Sequence, residues 1–217
     1  NYNLIYNNKG SNTTNSDGHR FGVRLEHKFS ENTSILFQPQ VSFGNGDFNE
    51  ISEFSTLTER NGATSRTNDG FTSNTGSNNN WRTNGFFLFR QKLGKAGRTL
   101  SFNARYNFSG NETNGFNQSL TRTYDEFETA ADSIINQRYN QNQDTKSLSG
   151  RLTYTEPLGK GFFVEANYEL SWNRTTSKKN TFDSGVVEDF SASNLIYNPI
   201  GEVANSVYSS EIINRYV

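Results

Sequence analysis

The sequence predicts an all-β protein, an antiparallel transmembrane β-barrel, and two observations lead to this fold class. Apolar and polar side chains alternate along most segments; between Phe162 and Trp172 every even position is apolar or aromatic. The chain is also polar yet aromatic, with a hydrophobic fraction of 31 % and an aromatic fraction of 14 %. Soluble domains are about 45–50 % apolar by a broader count, and disordered chains carry few aromatics. A barrel accounts for both, because only one side of each strand faces lipid.

Eight strands are expected from this alternation. The ten steps from Phe162 to Trp172, at about 3.3 Å each and a tilt of about 45°, rise about 23 Å, which is close to an apolar band of about 25 Å. We therefore expect the even face of this strand to meet lipid and the odd face to line a wet lumen. The predicted strands are residues 1–8, 18–30, 34–48, 81–93, 98–111, 146–157, 162–175 and 207–217.

The connections are of two kinds, and they define residues 1–217 as one barrel segment. Short polar turns are predicted at about 31–33, 94–97 and 158–161, and long outer loops at about 46–80, 112–145 and 175–205. Short turns on the periplasmic side and long loops outside are typical of outer-membrane barrels. Both edges of the sheet need hydrogen-bonding partners, so we favour a segment of a larger barrel. The alternative, a soluble β-sandwich, prefers shorter strands with turns every 8–12 residues or so.

Composition excludes several function classes. The sequence has no Cys, no Ser in a Gly-x-Ser-x-Gly motif, and only two histidines, His19 and His27, so we expect no enzyme. The net charge of -1 gives no basic excess for nucleic acid. No run approaches the 18–20 or so apolar residues of a spanning helix. Because the sequence has no Met and no signal peptide, we expect a piece of a longer protein or a mature segment.

One hairpin carries a family resemblance. A strand ends in Tyr-x-Glu-Pro-Leu, turns at Gly-Lys-Gly and continues into an aromatic alternating strand. This unit resembles the Bacteroidota outer-membrane β-barrel family found in TonB-dependent receptors (SusC-like or related), and the hairpins around residues 25–43 and 89–110 are similar to it. The residues of the motif are Tyr154, Glu156, Pro157, Leu158, Gly159, Lys160 and Gly161.

The resemblance implies an outer-membrane location and a function. Such receptors have barrels of about 22 strands and a plugged lumen. It implies uptake of an oligosaccharide, a peptide or a metal chelate, with outer-membrane lipids, a plug domain and TonB as partners. A non-transporting barrel in a surface-secretion or lipoprotein-display complex, with a surface lipoprotein partner, is the alternative. A soluble or surface β-rich adhesin is a further alternative.

Aromatic residues in the predicted loops are the candidate ligand-binding side chains, since they can stack on a sugar or peptide beside Asn and Gln. The competing interpretation is that they pack the loops on themselves and on the barrel rim. The candidates are Phe71, Trp81, Phe116, Tyr124, Phe127, Tyr139 and Tyr197.

Charged residues suggest two further roles. Those of lumen parity are expected to form cross-strand pairs, against a plug if one is present. They are Arg20, Arg24, Glu26, Lys28, Arg105, Arg151, Glu165 and Glu169. No cofactor is expected. Calcium on the outer loops is conceivable at two acidic clusters, but their spacing matches no calcium loop and solvated carboxylates are favoured. The clusters are Asp125, Glu126, Glu128 and Asp132, and Asp183, Glu188 and Asp189.

Overall fold

The computed structural model describes residues 2–187 and 190–216 and folds them into one antiparallel sheet. The predicted all-β antiparallel fold is confirmed. No helix in these two ranges is long and apolar enough to cross a membrane. The strands are β1 (Tyr2–Gly22), β2 (Leu25–Lys28), β3 (Thr33–Arg60), β4 (Ala63–Lys92), β5 (Thr99–Tyr124), β6 (Ala130–Gly159), β7 (Phe162–Asp183) and β8 (Val203–Tyr216).

The sheet is a meander in the order β1-β3-β4-β5-β6-β7-β8, and β2 pairs with β3 in the same register as β1. The predicted separate strands 1–8 and 18–30 are therefore wrong, because β1 and β2 form one edge of the sheet. The edge is interrupted opposite Pro39, which has no N–H to donate. Only the Val23 N–H reaches across, donating to the Pro39 carbonyl oxygen at 3.0 Å.

The segment expected as a long loop at 46–80 is instead strand on both sides of a two-residue turn. β3 and β4 pair from Thr33 to Arg60, and Asn61 and Gly62 close the hairpin with φ of 54° and 77°. Two positive φ angles in succession define a type I′ turn, which Asn-Gly favours. At about 3.3 Å per residue β3 is about 92 Å long, far more than an apolar band of about 25 Å needs.

The other two expected loops are corrected in the same way. β5 and β6 pair until Tyr124 meets Ala130, leaving residues 125–129 as the connection in place of 112–145. β7 runs to Asp183 and β8 begins at Val203, so that of the expected loop 175–205 the described residues outside these two strands are 184–187 and 190–202. Asn and Gly have low β propensity, which favoured loops in the sequence, but cross-strand pairing outweighs that weak preference.

Three short connections lie at the opposite end of the sheet, at residues 29–32, 93–98 and 160–161. Lys160 and Gly161 have φ of 52° and 81°, the same turn geometry as at Asn61. Gly94 and Gly97 also have positive φ, at 65° and 84°. Glu156 binds this end together, because it accepts hydrogen bonds from Arg98 Nε at 2.6 Å and from Lys95 Nζ at 3.2 Å.

The register separates two faces. One row of directly paired residues crosses the sheet on the face that we call the apolar face, and its large side chains stay exposed: Phe102 39 %, Leu152 46 % and Tyr168 58 %. This confirms that the alternating apolar positions of different strands share one face. The row on the apolar face consists of His27, Ile35, Phe89, Phe102, Leu152 and Tyr168. We call the opposite face the polar face.

Two glycines on the apolar face are covered by aromatic rings of the neighbouring strand. Gly110 is paired with Trp81, and Gly85 with Tyr106, and a Cβ at either glycine would overlap the ring. Aromatic side chains that cover cross-strand glycines help to fix the pairing of two strands. These rings lock the register of β4 against β5, which also fixes the residues that share the polar face.

Candidate functional site

The polar face surrounds an open cavity of about 870 Å³. It is lined by Gly22 at the end of β1, by the two residues that follow it, and by β3, β4, β5 and β6, so its shape depends on the register of these strands. The lining is dominated by guanidinium, amide and hydroxyl groups, with Phe86 the main apolar ring on this face. The lining residues include Arg24, Gln38, Gln40, Arg82, Asn84, Phe86, Arg105, Asn107, Ser147 and Ser149.

Two arginines of this cavity are held by neutral neighbours. The Arg82 Nε–H donates to Asn107 Oδ1 at 2.6 Å, across β4 and β5. The guanidinium carbon of Arg105 lies 5.4 Å from the ring centroid of its directly paired residue Phe86, in a cation–π contact. Neither arginine forms an ion pair with any carboxylate in residues 2–187 and 190–216.

Arg24 and Arg151 differ, because each has a carboxylate partner. Arg151 binds Glu169 across β6 and β7, with Nε to Oε2 at 2.8 Å, which is the expected cross-strand arrangement. Arg24 pairs with Glu26 at 3.1 Å along its own edge rather than across strands. The expectation of cross-strand pairs is therefore met by Arg151 and not by Arg24.

The polar face carries a positive charge excess. Arg20 and Arg82 lie in one row of paired residues, and between this row and the short turns the polar face carries eight basic and three acidic side chains. Eight of these residues were expected from the sequence, whereas Arg82, Arg90 and Lys92 were missed; their signal was the even parity of β4. The basic residues are Arg20, Arg24, Lys28, Arg82, Arg90, Lys92, Arg105 and Arg151, and the acidic ones are Glu26, Glu165 and Glu169.

The aromatic candidates do not form one site, and five of them lie on strands rather than in loops. Phe71 and Phe116 lie under the segment of residues 184–187 and 190–202, which we call the strap, and Tyr197 belongs to the strap. Phe71 is 4 % exposed and its ring lies 5.8 Å from Phe190. Phe116 and Tyr197 are 5.3 Å apart. These three pack the strap on the far end of the apolar face, which agrees with the competing interpretation that such residues pack loops.

The remaining candidates are dispersed. Trp81 is 47 % exposed on the apolar face, and Phe127 is 86 % exposed in the 125–129 connection. Tyr124 donates to Asp69 Oδ2 at 3.0 Å near the end of β5. Tyr139 is 8 % exposed on the polar face, and its hydroxyl donates to Asn74 Oδ1 at 3.0 Å. Burial raises the pKa of Tyr139.

Glu202 and its two hydrogen-bond donors, Arg138 and Tyr197, tie the end of the strap to β6, and we call these three residues the latch. Glu202 accepts hydrogen bonds from Arg138 Nη2 at 2.8 Å and Nε at 3.2 Å and from the Tyr197 hydroxyl at 2.5 Å. Hydrogen bonds from Arg138 and Tyr197 lower the pKa of Glu202. Burial and the neighbouring carboxylate raise the pKa of Tyr197 to about 12. Gln118, 3 % exposed, anchors the strap by donating to the Leu195 carbonyl oxygen at 3.2 Å.

The acidic clusters are engaged in local structure. Asp125 Oδ1 accepts the N–H groups of Phe127 and Thr129, each at 2.8 Å, and Asp132 binds Arg122 at 2.8 Å. Glu188 and Asp189 lie outside the described residues. Elsewhere in the described ranges, no three His, Cys, Asp or Glu side chains are placed to hold a metal ion.

Both histidines lie on the apolar face. The His19 ring lies 5.5 Å from the Phe43 ring in a tilted contact, and the His27 ring meets the Phe29 ring edge-on at 4.6 Å. His27 belongs to the row of directly paired residues on that face, and His19 is not directed toward the polar-face cavity. The absence of enzymatic activity stays a prediction.

Comparison with known proteins gives one match. The family model of the outer membrane protein beta-barrel family matches residues 91–210. These residues include β5, β6 and β7, the strap and much of β8. No curated protein matches the chain.

Proposed function

The chain belongs to the outer membrane protein beta-barrel family, and from this premise we propose that it forms part of a barrel wall through which a solute enters the cell. The protein is located in the bacterial outer membrane. In this proposal the apolar face meets outer-membrane lipids and the polar face lines the lumen. The short connections at 29–32, 93–98 and 160–161 face the periplasm, and Asn61–Gly62 and 125–129 face the exterior.

The polar-face cavity of about 870 Å³ is the observation that carries the proposal. Its amides, hydroxyls and guanidinium groups can replace the water around a polar solute, whereas the apolar face cannot. A wall without a transport role needs no recess of this kind. The soluble adhesin interpretation does not account for the outer-membrane location.

We propose further that the full barrel is a TonB-dependent receptor, with a plug domain and TonB as partners and with an oligosaccharide, a peptide or a metal chelate as cargo. The edges support a larger barrel: in the described residues β1 and β8 do not pair with each other, so each leaves backbone groups that lipid cannot satisfy. The same edges fit the alternative, a structural barrel of a surface-secretion or lipoprotein-display complex, with a surface lipoprotein partner.

Uptake by cells separates these functions. The gene for the full protein is deleted and then restored, and uptake of labelled maltohexaose, trigalacturonate, tetraalanine and ferric desferrioxamine is measured with and without an uncoupler. We expect uptake of at least one probe to fall to background in the deletion strain and in uncoupled cells. Unchanged uptake of all four, together with loss of lipoproteins from the cell surface, contradicts transport and supports the assembly role.

A further inference from the structure

We infer that the polar-face cavity recognises an acidic, polyhydroxylated solute, of the chemical class of carboxylate-bearing oligosaccharides. This inference rests on the proposed function and specifies its cargo. It starts from an imbalance: the chain has a net charge of -1, yet the polar face carries eight basic and three acidic side chains between Arg82 and the short turns, and the charged residues that line the cavity are all arginines. Basic side chains that line a cleft raise the local concentration of anions.

Arg82 and Arg105 are the side chains best placed to bind an anion. Arg82 uses its Nε–H on Asn107 and keeps the N–H donors of both terminal nitrogens. The Arg105 guanidinium contacts the Phe86 ring, with its carbon 5.4 Å from the ring centroid, and this contact uses none of its N–H donors. Both are held by uncharged groups, so no carboxylate must be displaced when a ligand carboxylate binds. Guanidinium groups bind carboxylates through two parallel hydrogen bonds.

The rest of the lining selects among anions. Asn84 Nδ2 donates to Gln40 Oε1 at 3.5 Å, and Ser147 and Ser149 line the same cavity from β6. Such amides and hydroxyls donate to and accept from sugar hydroxyls, which a simple inorganic anion does not offer. The volume lies within the 300–1,000 Å³ or so of small-molecule sites. These features favour a short acidic saccharide over an acidic segment of protein.

Binding to the full-length protein, purified in detergent, tests the inference with two probes of equal length. The probes are trigalacturonate, with three carboxylates, and uncharged maltotriose, and affinity is measured by calorimetry at low ionic strength. We expect trigalacturonate to bind at least about tenfold more tightly than maltotriose and to weaken as salt is added. In Arg82→Gln/Arg105→Gln its affinity falls about tenfold or more, while that of maltotriose changes little.

Arg122→Gln is the matched control, because Arg122 is bound to Asp132 beyond the cavity and on the other face. It should bind both probes as the wild type does. Phenylglyoxal labelling of the wild type needs no variant: Arg82 and Arg105 should react in the free protein and be protected by trigalacturonate.

Three results overturn the inference: equal affinity for the two probes, unchanged trigalacturonate binding in the double variant, or protection of both arginines without a probe, which means that a protein segment occupies the site. If the double variant does not fold, the labelling result decides alone. Binding to purified protein tests this inference and uptake by cells tests the proposed function, so either can fail separately.

Discussion

The latch at Glu202 predicts a measurable change in strap stability. Replacing Glu202 by Gln keeps the side-chain shape but removes the charge that Arg138 and Tyr197 bind. Hydrogen bonds to a charged group contribute about 1.5–3 kcal/mol, roughly twice as much as neutral ones. The Glu202 and Arg138 side chains are 21 % and 38 % exposed, so solvent screens the pair. We therefore expect the opening equilibrium of the strap to shift by about 5–30-fold.

Hydrogen exchange measures this equilibrium directly. Two amides at the base of the strap are bonded in the closed state: Ser184 N–H donates to the Asn136 carbonyl oxygen at 2.8 Å, and Gly185 N–H to the Asn198 carbonyl oxygen at 2.9 Å. Exchange in peptides covering them should be about 5–30-fold faster in Glu202→Gln. Peptides from the paired strands β3 and β4 should be unchanged.

Arg122→Met provides the control for the latch, because Arg122 also makes two hydrogen bonds to one carboxylate, at 2.8 and 2.9 Å, but outside the strap. It should leave the strap peptides unaffected. Strap exchange that is the same in Glu202→Gln and wild type would refute the reasoning, since the latch would then not limit opening.

Three further predictions concern other parts of the fold. The pKa of Tyr197 is raised above its ordinary value of 10.0, so its contribution to strap stability is complete below pH 10 and is lost as the pH rises toward about 12. Hydrogen exchange of the strap amides, corrected for the intrinsic pH dependence of exchange, should therefore speed up over this range. A corrected rate that does not change with pH would contradict this. Leu170→Arg, on the apolar face between the middle and the edge of the apolar band, should destabilise the barrel in lipid vesicles by about 1–3 kcal/mol in urea titrations, whereas Ser171→Arg on the polar face should not. Equal effects, or a larger effect of Ser171→Arg, would contradict this assignment of the faces. Gly76→Ala should cost about 1–3 kcal/mol in the same titration, because its Cβ would lie 2.7 Å from the Gly115 Cα, and a neutral result would contradict this contact.

The two faces were predictable from sequence because side-chain alternation depends only on strand geometry. Positions from Phe102 on β5 to Tyr168 on β7 share a row, as their parity indicated. Which residues meet across strands was not predictable, since that depends on register. The cavity formed by Arg82, Arg105 and their neighbours therefore emerged only with the fold.

Strand length was the main failure, and its cause is physical. Asn, Ser, Thr and Gly fill the outer halves of β3 to β6, and low propensity favoured loops there. One local signal was missed: Asn61-Gly62 has the residue pair of a type I′ hairpin, which predicts strands on both sides. The strap was partly predictable, because aromatic residues in a polar loop indicated packing, but its partner Gln118 lies 77 residues from Leu195 in sequence.

β3 and β4 stay paired, with one register shift between Thr56 and Leu57, up to the turn at Asn61 and Gly62, which therefore lies at the tip of a long hairpin. From Phe43 to this turn the strand extends about 60 Å, or about 40 Å in height at a tilt of about 45°. An antibody epitope inserted at the tip would be displayed far from the bilayer without disturbing the paired residues below it. The molecule thus offers a ready attachment point for labels, while Gly94 marks the opposite end of the same ribbon.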